Sequence, residues 1–182
     1  LVVMRGGRIV AERYAPGYGP DTRLISWSMA KSVTATLVGL MVADGRLALD
    51  EPAPVPEWQT PRDGRAKITL RHLLHMSSGL DHTEMAEGDI EIFDADTPRM
   101  LFLDGRENIA RYAETRPLEA EPGDKFEYSS ATSNILTDIM TRSLTSSKDP
   151  AERRDAMLEY ARGRLFEPLG MTSAFPEFDR NG

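Results

Sequence analysis

Short hydrophobic runs flank a pair of glycines at the start of the chain. Residues 1–4 (LVVM) and 8–14 (RIVAERY) favour β-structure and surround Gly6-Gly7, a pattern typical of a tight hairpin turn. A two-stranded hairpin is marginally stable alone, and no other strong strand pattern occurs in the sequence. The sequence therefore predicts a hairpin whose partner strands lie outside these 182 residues. The alternative is a small α+β domain in which the hairpin packs directly on helices.

Apolar residues further along the chain recur at helical spacing. The clearest case covers residues 28–43, where Asp44-Gly45 provides the signal for a helix end. Further helices are predicted after an N-terminal cap at Thr69 and over residues 108–115, 131–144 and 150–165. Residues 50–61 contain four prolines and predict an irregular loop. Residues 84–104 are acidic and predict a loop with one short helical piece.

The composition narrows the range of functions. The formal net charge is −7 and the chain lacks Cys. An acidic chain lacks the basic face that nucleic acids and anionic membranes require, and without Cys there is no thiolate nucleophile and no Cys-ligated metal. No apolar run approaches the length of a membrane span. The lack of Cys, with no visible signal peptide, slightly favours a cytoplasmic over a periplasmic location, and we expect no cofactor.

A Ser-x-x-Lys pattern opens the clearest helix. Ser28 and Lys31 are three residues apart and therefore face the same way on a helix. A serine hydroxyl is a weak nucleophile until a base removes its proton, and a lysine can act as that base when burial or a nearby cation favours its neutral form. The Ser28 backbone N–H lies at a helix N-terminus, where it could donate to a developing oxyanion. Trp27 and Met29 could partly desolvate the pair. The alternative is that Ser28 belongs to the helix cap and Lys31 is solvated.

A second candidate lies between a Pro-Gly turn and a helix. Tyr128 could direct its phenol into a cleft and carry a proton towards a leaving group, and Ser130 could join the same relay. In the alternative, Tyr128 is a half-buried packing residue and Ser130 caps the following helix.

Taken together, the Ser28-x-x-Lys31 pattern, the Tyr128-x-Ser130 pattern and the sequence around them resemble the serine β-lactamase-like and penicillin-binding-protein-like hydrolases. The resemblance is to the branch of class C β-lactamases, esterases and 6-aminohexanoate-oligomer hydrolases in particular. The resemblance covers nearly the whole chain and rests on segments 7–14 (GRIVAERY), 27–32 (WSMAKS), 45–50 (GRLALD), 68–80 (ITLRHLLHMSSGL), 122–130 (PGDKFEYSS) and 166–171 (FEPLGM).

The resemblance implies roles for particular residues. Ser28 would be the acylated nucleophile, Lys31 its base and Tyr128 the proton shuttle at the head of the second motif. Ser130 takes that motif's third place, where most class C-like enzymes have Asn. Serine at this place is similar to the 6-aminohexanoate-oligomer hydrolase pattern, and it favours ester or amide hydrolysis over β-lactam turnover. Trp27 is a candidate supporting or substrate-binding residue.

The implied fold class is α+β and β-lactamase/transpeptidase-like, with an antiparallel sheet flanked by helices and an all-helical region. Residues 1–50 would hold the hairpin and nucleophile helix, and residues 51–182 the mostly helical region carrying Tyr128. The family's third motif, a Lys-Thr-Gly or His-x-Gly segment on a strand, does not occur in the sequence. We therefore expect an N-terminal portion of a longer protein, whose C-terminal α/β part completes the site with a second oxyanion donor.

The expected function is that of a serine hydrolase that forms an acyl-enzyme with a small ester, amide or peptide-like substrate. A β-lactamase or D-alanyl-D-alanine peptidase would share the mechanism and differ in substrate. A non-catalytic penicillin-binding-type sensor or binding module is the alternative of another class.

The remaining candidates favour structural roles. His72 and His75 form a poor zinc pair, so packing and capping are expected and no metal is predicted. The acidic run from Glu84 to Asp96 could bind a cation, but a solvated loop near the cleft mouth is the preferred interpretation.

Overall fold

The computed structural model describes residues 1–86, 88 and 91–182. Two strands, β1 (Val2–Arg5) and β2 (Arg8–Glu12), pair antiparallel with Val2 opposite Glu12. Gly6 and Gly7 join them with φ of +57° and +74°, the left-handed backbone of a type I′ turn, which confirms the predicted hairpin. All residues of both strands are exposed, contrary to the alternative of direct packing on helices. Within the described ranges, the sheet contains these two strands alone.

The rest of the chain is helices joined by loops and short helical turns. The α-helices are α1 (Ala30–Ala43), α2 (Leu70–Leu74), α3 (Asp96–Phe102), α4 (Ile109–Glu114), α5 (Ser130–Leu144) and α6 (Pro150–Ala161). Single 3₁₀ turns cover Trp27–Met29, Pro56–Trp58 and Gly64–Lys67, and a π turn covers Arg162–Phe166. The predicted helices are therefore all present.

Helix bounds follow local capping chemistry. Side-chain oxygens of Thr69, Asn108, Ser129 and Asp149 accept hydrogen bonds from first-turn N–H groups of α2, α4, α5 and α6. These groups have no partner within the helix, so each cap fixes where its helix starts. At the C-terminal end of α1, Gly45 adopts a φ of +71°, as the Asp44-Gly45 signal predicts.

Two helix bounds differ from those predicted. The first helix does not run as an α-helix from residue 28, because Trp27 has a left-handed φ of +47° and a 3₁₀ turn precedes α1. The last helix ends at Ala161 rather than near residue 165 and widens into the π turn. Gly163 lies in that turn, and its low helix propensity favours the irregular continuation.

The hydrophobic core lies around α5, which packs against α1, α2, α4 and α6. The fully buried side chains from α1 and α5 that form its centre include Val38, Met41, Ile135 and Met140. Trp58 is buried beside them, and its indole N–H donates to the Glu114 carbonyl at 2.8 Å. The core thus continues across residue 50, the predicted boundary between two regions, and that division stays a prediction.

A network of acidic and basic side chains, buried or partly buried, lies among the helices of the core. The Arg142 guanidinium lies 3.0 Å from a Glu114 oxygen and 2.6 Å from an Asp138 oxygen. The other Asp138 oxygen accepts from Arg153 at 2.6 Å. Each acid therefore has a cationic partner, the usual condition for burying a carboxylate.

Candidate active site

Ser28 lies on the 3₁₀ turn that precedes α1, and Lys31 lies in the first turn of α1. The Lys31 Nζ donates to the Ser28 Oγ at 3.0 Å, so the three-residue spacing brings the two side chains together as predicted. Lys31 is partly buried whereas Ser28 is exposed. An exposed hydroxyl with an amine behind it is accessible to a substrate carbonyl.

The backbone around Ser28 is arranged to leave its N–H available. The turn is closed by hydrogen bonds from the Met29 N–H to the Ser26 carbonyl and from the Ala30 N–H to the Trp27 carbonyl. In the portion of the chain that the structure describes, no hydrogen bond uses the Ser28 N–H. This group lies at the start of a helix, where the dipole favours negative charge, and it can donate to an oxyanion.

Trp27 combines an unusual backbone with an exposed side chain. Its left-handed φ costs free energy for a residue other than glycine, and strain of this kind clusters at functional sites. Trp27 is 77% exposed and Met29 is 70% exposed. The expected desolvation of Ser28 by these two side chains is therefore not seen, because both are largely exposed.

Ser130 approaches Lys31 from the first turn of α5. The Lys31 Nζ donates to the Ser130 Oγ at 3.0 Å, which brings together residues 99 positions apart. Ser129 rather than Ser130 caps α5, since the Ser129 Oγ accepts from the Thr132 N–H. The alternative role of Ser130 as the helix cap is thus wrong. Its hydroxyl is instead free to face Lys31.

Tyr128 contacts Lys31 through its ring. The Lys31 Nζ lies 5.0 Å from the ring centroid, within the range of a cation–π interaction. The side chain is 42% exposed, and in the described residues its hydroxyl makes no hydrogen bond within the chain. The structure brings Tyr128 to the serine–lysine pair and leaves its hydroxyl accessible.

Glu84 completes the cluster, and sequence reasoning missed it. Its Oε2 accepts from the Ser130 N–H and its Oε1 from the Ser130 Oγ–H, both at 2.6 Å. The sequence predicts a solvated loop for the acidic segment that contains Glu84, yet this carboxylate is half-buried and hydrogen-bonded. The contact joins residues 46 positions apart, so no local pattern marks it.

Hydrogen bonds determine the charge of Glu84. Burial alone would raise the pKa of its carboxyl, but hydrogen bonds from His82, Ser130 and Thr97 outweigh burial and lower the pKa to about 2. Glu84 is therefore a carboxylate at neutral pH. The Ser130 hydroxyl lies between this negative charge and the Lys31 Nζ, since it contacts both groups.

The side chains of His72 and His82 are held by hydrogen bonds within the fold, whereas the packing role expected for His75 stays a prediction. His72 accepts from the Thr69 N–H through Nδ1 and so closes the capping box of α2, as expected. His82 is buried and hydrogen-bonds to Thr97. Within the described residues, no group of three or more His, Asp or Glu side chains is arranged to hold a metal ion.

The comparisons with known proteins first define the class of fold. A solved structure from Bacillus anthracis, named provisionally as a 6-aminohexanoate-dimer hydrolase, superposes with a TM-score of 0.61 at 24% identity. The superposition covers 81% of this chain and 40% of the chain in the solved structure. Together with the family match below, this likeness shows the α+β fold of β-lactamase-like proteins, as predicted.

The sequence comparisons then identify the family. The family model described as Beta-lactamase matches residues 1–177, and the chain belongs to that family. Esterase EstB of Burkholderia gladioli is 33% identical over 167 residues, which are 86% of this chain and 40% of the esterase. The 6-aminohexanoate-dimer hydrolase of Paenarthrobacter ureafaciens is 27% identical over 148 residues, or 78% of this chain and 37% of that enzyme.

The chain thus spans about two fifths of the length of the curated relatives it matches. Those relatives are hydrolases by name, which confirms the predicted branch of esterases and 6-aminohexanoate-oligomer hydrolases. Among the helices that the structure describes, none is long and apolar enough to cross a membrane.

Proposed function

We propose that the protein is a serine hydrolase that forms an acyl-enzyme on Ser28 with an ester or amide substrate. The observation that carries this proposal is the position of the Lys31 Nζ, 3.0 Å from the Ser28 Oγ and equally far from the Ser130 Oγ. A base within hydrogen-bond reach of an exposed hydroxyl is the first geometric requirement for an activated serine.

Acylation begins with proton transfer from the Ser28 hydroxyl to the neutral Lys31 amine. The Ser28 Oγ attacks the carbonyl carbon and forms a tetrahedral intermediate, whose oxyanion accepts from the Ser28 N–H. The intermediate collapses, the bond to the leaving alcohol or amine breaks, and the leaving group takes up a proton. Water then attacks the acyl-enzyme by the same route and regenerates the Ser28 hydroxyl.

Tyr128 is proposed to pass the proton to the leaving group. Its ring centroid lies 5.0 Å from the Lys31 Nζ and its hydroxyl is accessible, so it can exchange a proton with a group bound beside Ser28. Ser130 supports Lys31 by accepting a hydrogen bond from its Nζ. Trp27, exposed next to the nucleophile, is proposed to contact the substrate.

The names of the relatives support a proposed substrate class. The relatives are named as an esterase and as a hydrolase of the 6-aminohexanoate dimer, which contains an amide bond. We propose a small ester or amide substrate. The resemblance places a second oxyanion donor on the strand of the family's third motif, which these 182 residues do not contain.

Labelling with a fluorophosphonate and measurement of the intact mass test the nucleophile. We expect one adduct that maps to Ser28, none on Ser28→Ala, and a labelling rate about 10²- to 10⁴-fold lower for Lys31→Ala, the usual contribution of a general base. Ser32→Ala, an exposed serine on the same helix, is the control and should label normally. Equal labelling of Ser28→Ala and wild type would contradict the assignment. Saturable ligand binding without any adduct would favour a non-catalytic binding module.

A further inference from the structure

The Glu84 carboxylate accepts hydrogen bonds from both donors of Ser130, the backbone N–H and the side-chain hydroxyl. One oxygen accepts the backbone N–H and the other accepts the hydroxyl proton, each at 2.6 Å. A serine hydroxyl has one proton, so a proton donated to Glu84 leaves only lone pairs to face other groups. The Ser130 Oγ can therefore only accept from the Lys31 Nζ at 3.0 Å.

The carboxylate is itself fixed by the protein interior. The Thr97 hydroxyl donates to the Glu84 Oε2 at 2.9 Å, and this assignment leaves the Thr97 oxygen to accept from the His82 Nε2–H at 2.8 Å. His82 is 2% exposed, and its Nε2 also lies 3.4 Å from the Glu84 Oε2. The Glu84 Oε2, which accepts the Ser130 N–H, is thus also anchored by Thr97 and His82.

We propose that Glu84 is a positioning residue for the serine–lysine pair, a role that rests on the proposed hydrolase function. Glu84 does not contact Ser28 or Lys31 directly. It orients the Ser130 hydroxyl as a pure acceptor, and Ser130 in turn holds the Lys31 amine within reach of the Ser28 hydroxyl. The chain of contacts runs from the buried His82 and Thr97 to the exposed nucleophile.

Glu84→Gln separates this role from simple space filling. Glutamine has nearly the same shape, but its amide offers one acceptor and one donor in place of two acceptors. One of the two Ser130 bonds must then be lost, and the hydroxyl proton can turn towards Lys31. We expect the limiting rate of Ser28 labelling at saturating fluorophosphonate to fall about 10- to 100-fold, the scale set by small displacements of catalytic groups. The half-saturating fluorophosphonate concentration should change little, since Glu84 does not touch the ligand.

The Ser130→Ala background shows whether Glu84 acts through Ser130. If it does, Ser130→Ala with Glu84→Gln should label at the rate of Ser130→Ala alone, whereas independent effects would multiply. Glu91→Gln, an exposed acid in the same segment, is the matched control and should label like wild type. If Glu84→Gln does not fold, Thr97→Val serves as the second variant. It keeps the carboxylate and removes one anchor, so the limiting rate should fall severalfold.

The outcomes separate the two proposals. If wild type is labelled and Glu84→Gln has a normal limiting rate, the positioning role is overturned and the hydrolase proposal stays intact. If Glu84→Gln is unfolded, a normal limiting rate in Thr97→Val has the same meaning. A further loss in the double variant would overturn the route through Ser130. An unlabelled wild type would overturn both.

Discussion

Two acidic residues make the stability of the fold depend on pH in opposite directions. Hydrogen bonds to Glu84 lower its pKa from about 4.5 to about 2 despite its burial, so its contribution to stability is present above pH 4.5 and is lost as pH falls towards 2. Burial raises the pKa of Glu114 to about 7, only partly offset by Arg142. The native state therefore binds the Glu114 proton more tightly than the unfolded chain does, and this contribution is lost as pH rises from 4.5 to 7.

Glu114→Gln should remove the loss of stability that Glu114 causes as pH rises, because glutamine cannot ionise. Relative to wild type, the variant's free energy of unfolding should rise with pH by about 3 kcal/mol in total, mostly between about pH 4.5 and pH 7. Urea denaturation over a pH series measures this difference. The titration of Glu84 is common to both proteins and cancels. Parallel stability curves for the two proteins would show that Glu114 ionises normally in the folded state.

The residues of the candidate site differ in how far sequence could predict them. Ser28 and Lys31 are three positions apart on one helix, so local geometry alone predicts their contact. Ser130 and Tyr128 could be assigned only through the resemblance. Their contacts with Lys31 span about a hundred residues, so local helix geometry does not predict them. Glu84 has neither a local pattern nor a place in the quoted motifs, and only the packing of its segment against α5 brings it to Ser130.

Among the secondary-structure elements, caps were more predictable than the backbone between them. Thr69 and the Asp44-Gly45 pair mark helix ends through hydrogen bonds and a left-handed turn that depend on a few adjacent residues. The 3₁₀ turn at Trp27–Met29 and the π turn at Arg162–Phe166 were missed. Both are irregular continuations of helices, and hydrophobic spacing does not distinguish them from a regular α-helix.

Asp149 offers a clean test of capping at the start of α6. It is exposed and accepts from the Ala151 and Glu152 N–H groups at 2.9 and 3.0 Å. Asp149→Ala should lower the free energy of unfolding by about 1 kcal/mol, whereas Asp149→Asn keeps a capping oxygen and should lose less. Urea denaturation of the three proteins gives the comparison. An alanine variant as stable as wild type would mean that the cap does not limit the stability of this helix.

In the whole molecule, stabilising contacts are unevenly distributed. The helices around α5 share one buried core, while β1 and β2 expose every residue and bury neither face. The exposed apolar residues of the N-terminal segment, residues 1–25, include Val2, Val3, Met4, Ile9, Val10, Leu24 and Ile25. The 3₁₀ turn that contains Ser28, the proposed nucleophile, lies along the chain between this exposed region and the core helix α1.

Native-state hydrogen exchange of the 182-residue chain should reveal this division. A two-stranded hairpin without a covered face is marginally stable, so the hydrogen-bonded amides of β1 and β2 should exchange at rates close to those of an unfolded peptide. Amides in the middle of α5 open only with the core and should be protected by orders of magnitude more. The protection of α1 should increase from its first turn, beside Ser28, towards Val38 and Met41, which are fully buried. Protection of the hairpin equal to that of α5 would contradict this account, because it would require that a face of the hairpin is covered in solution.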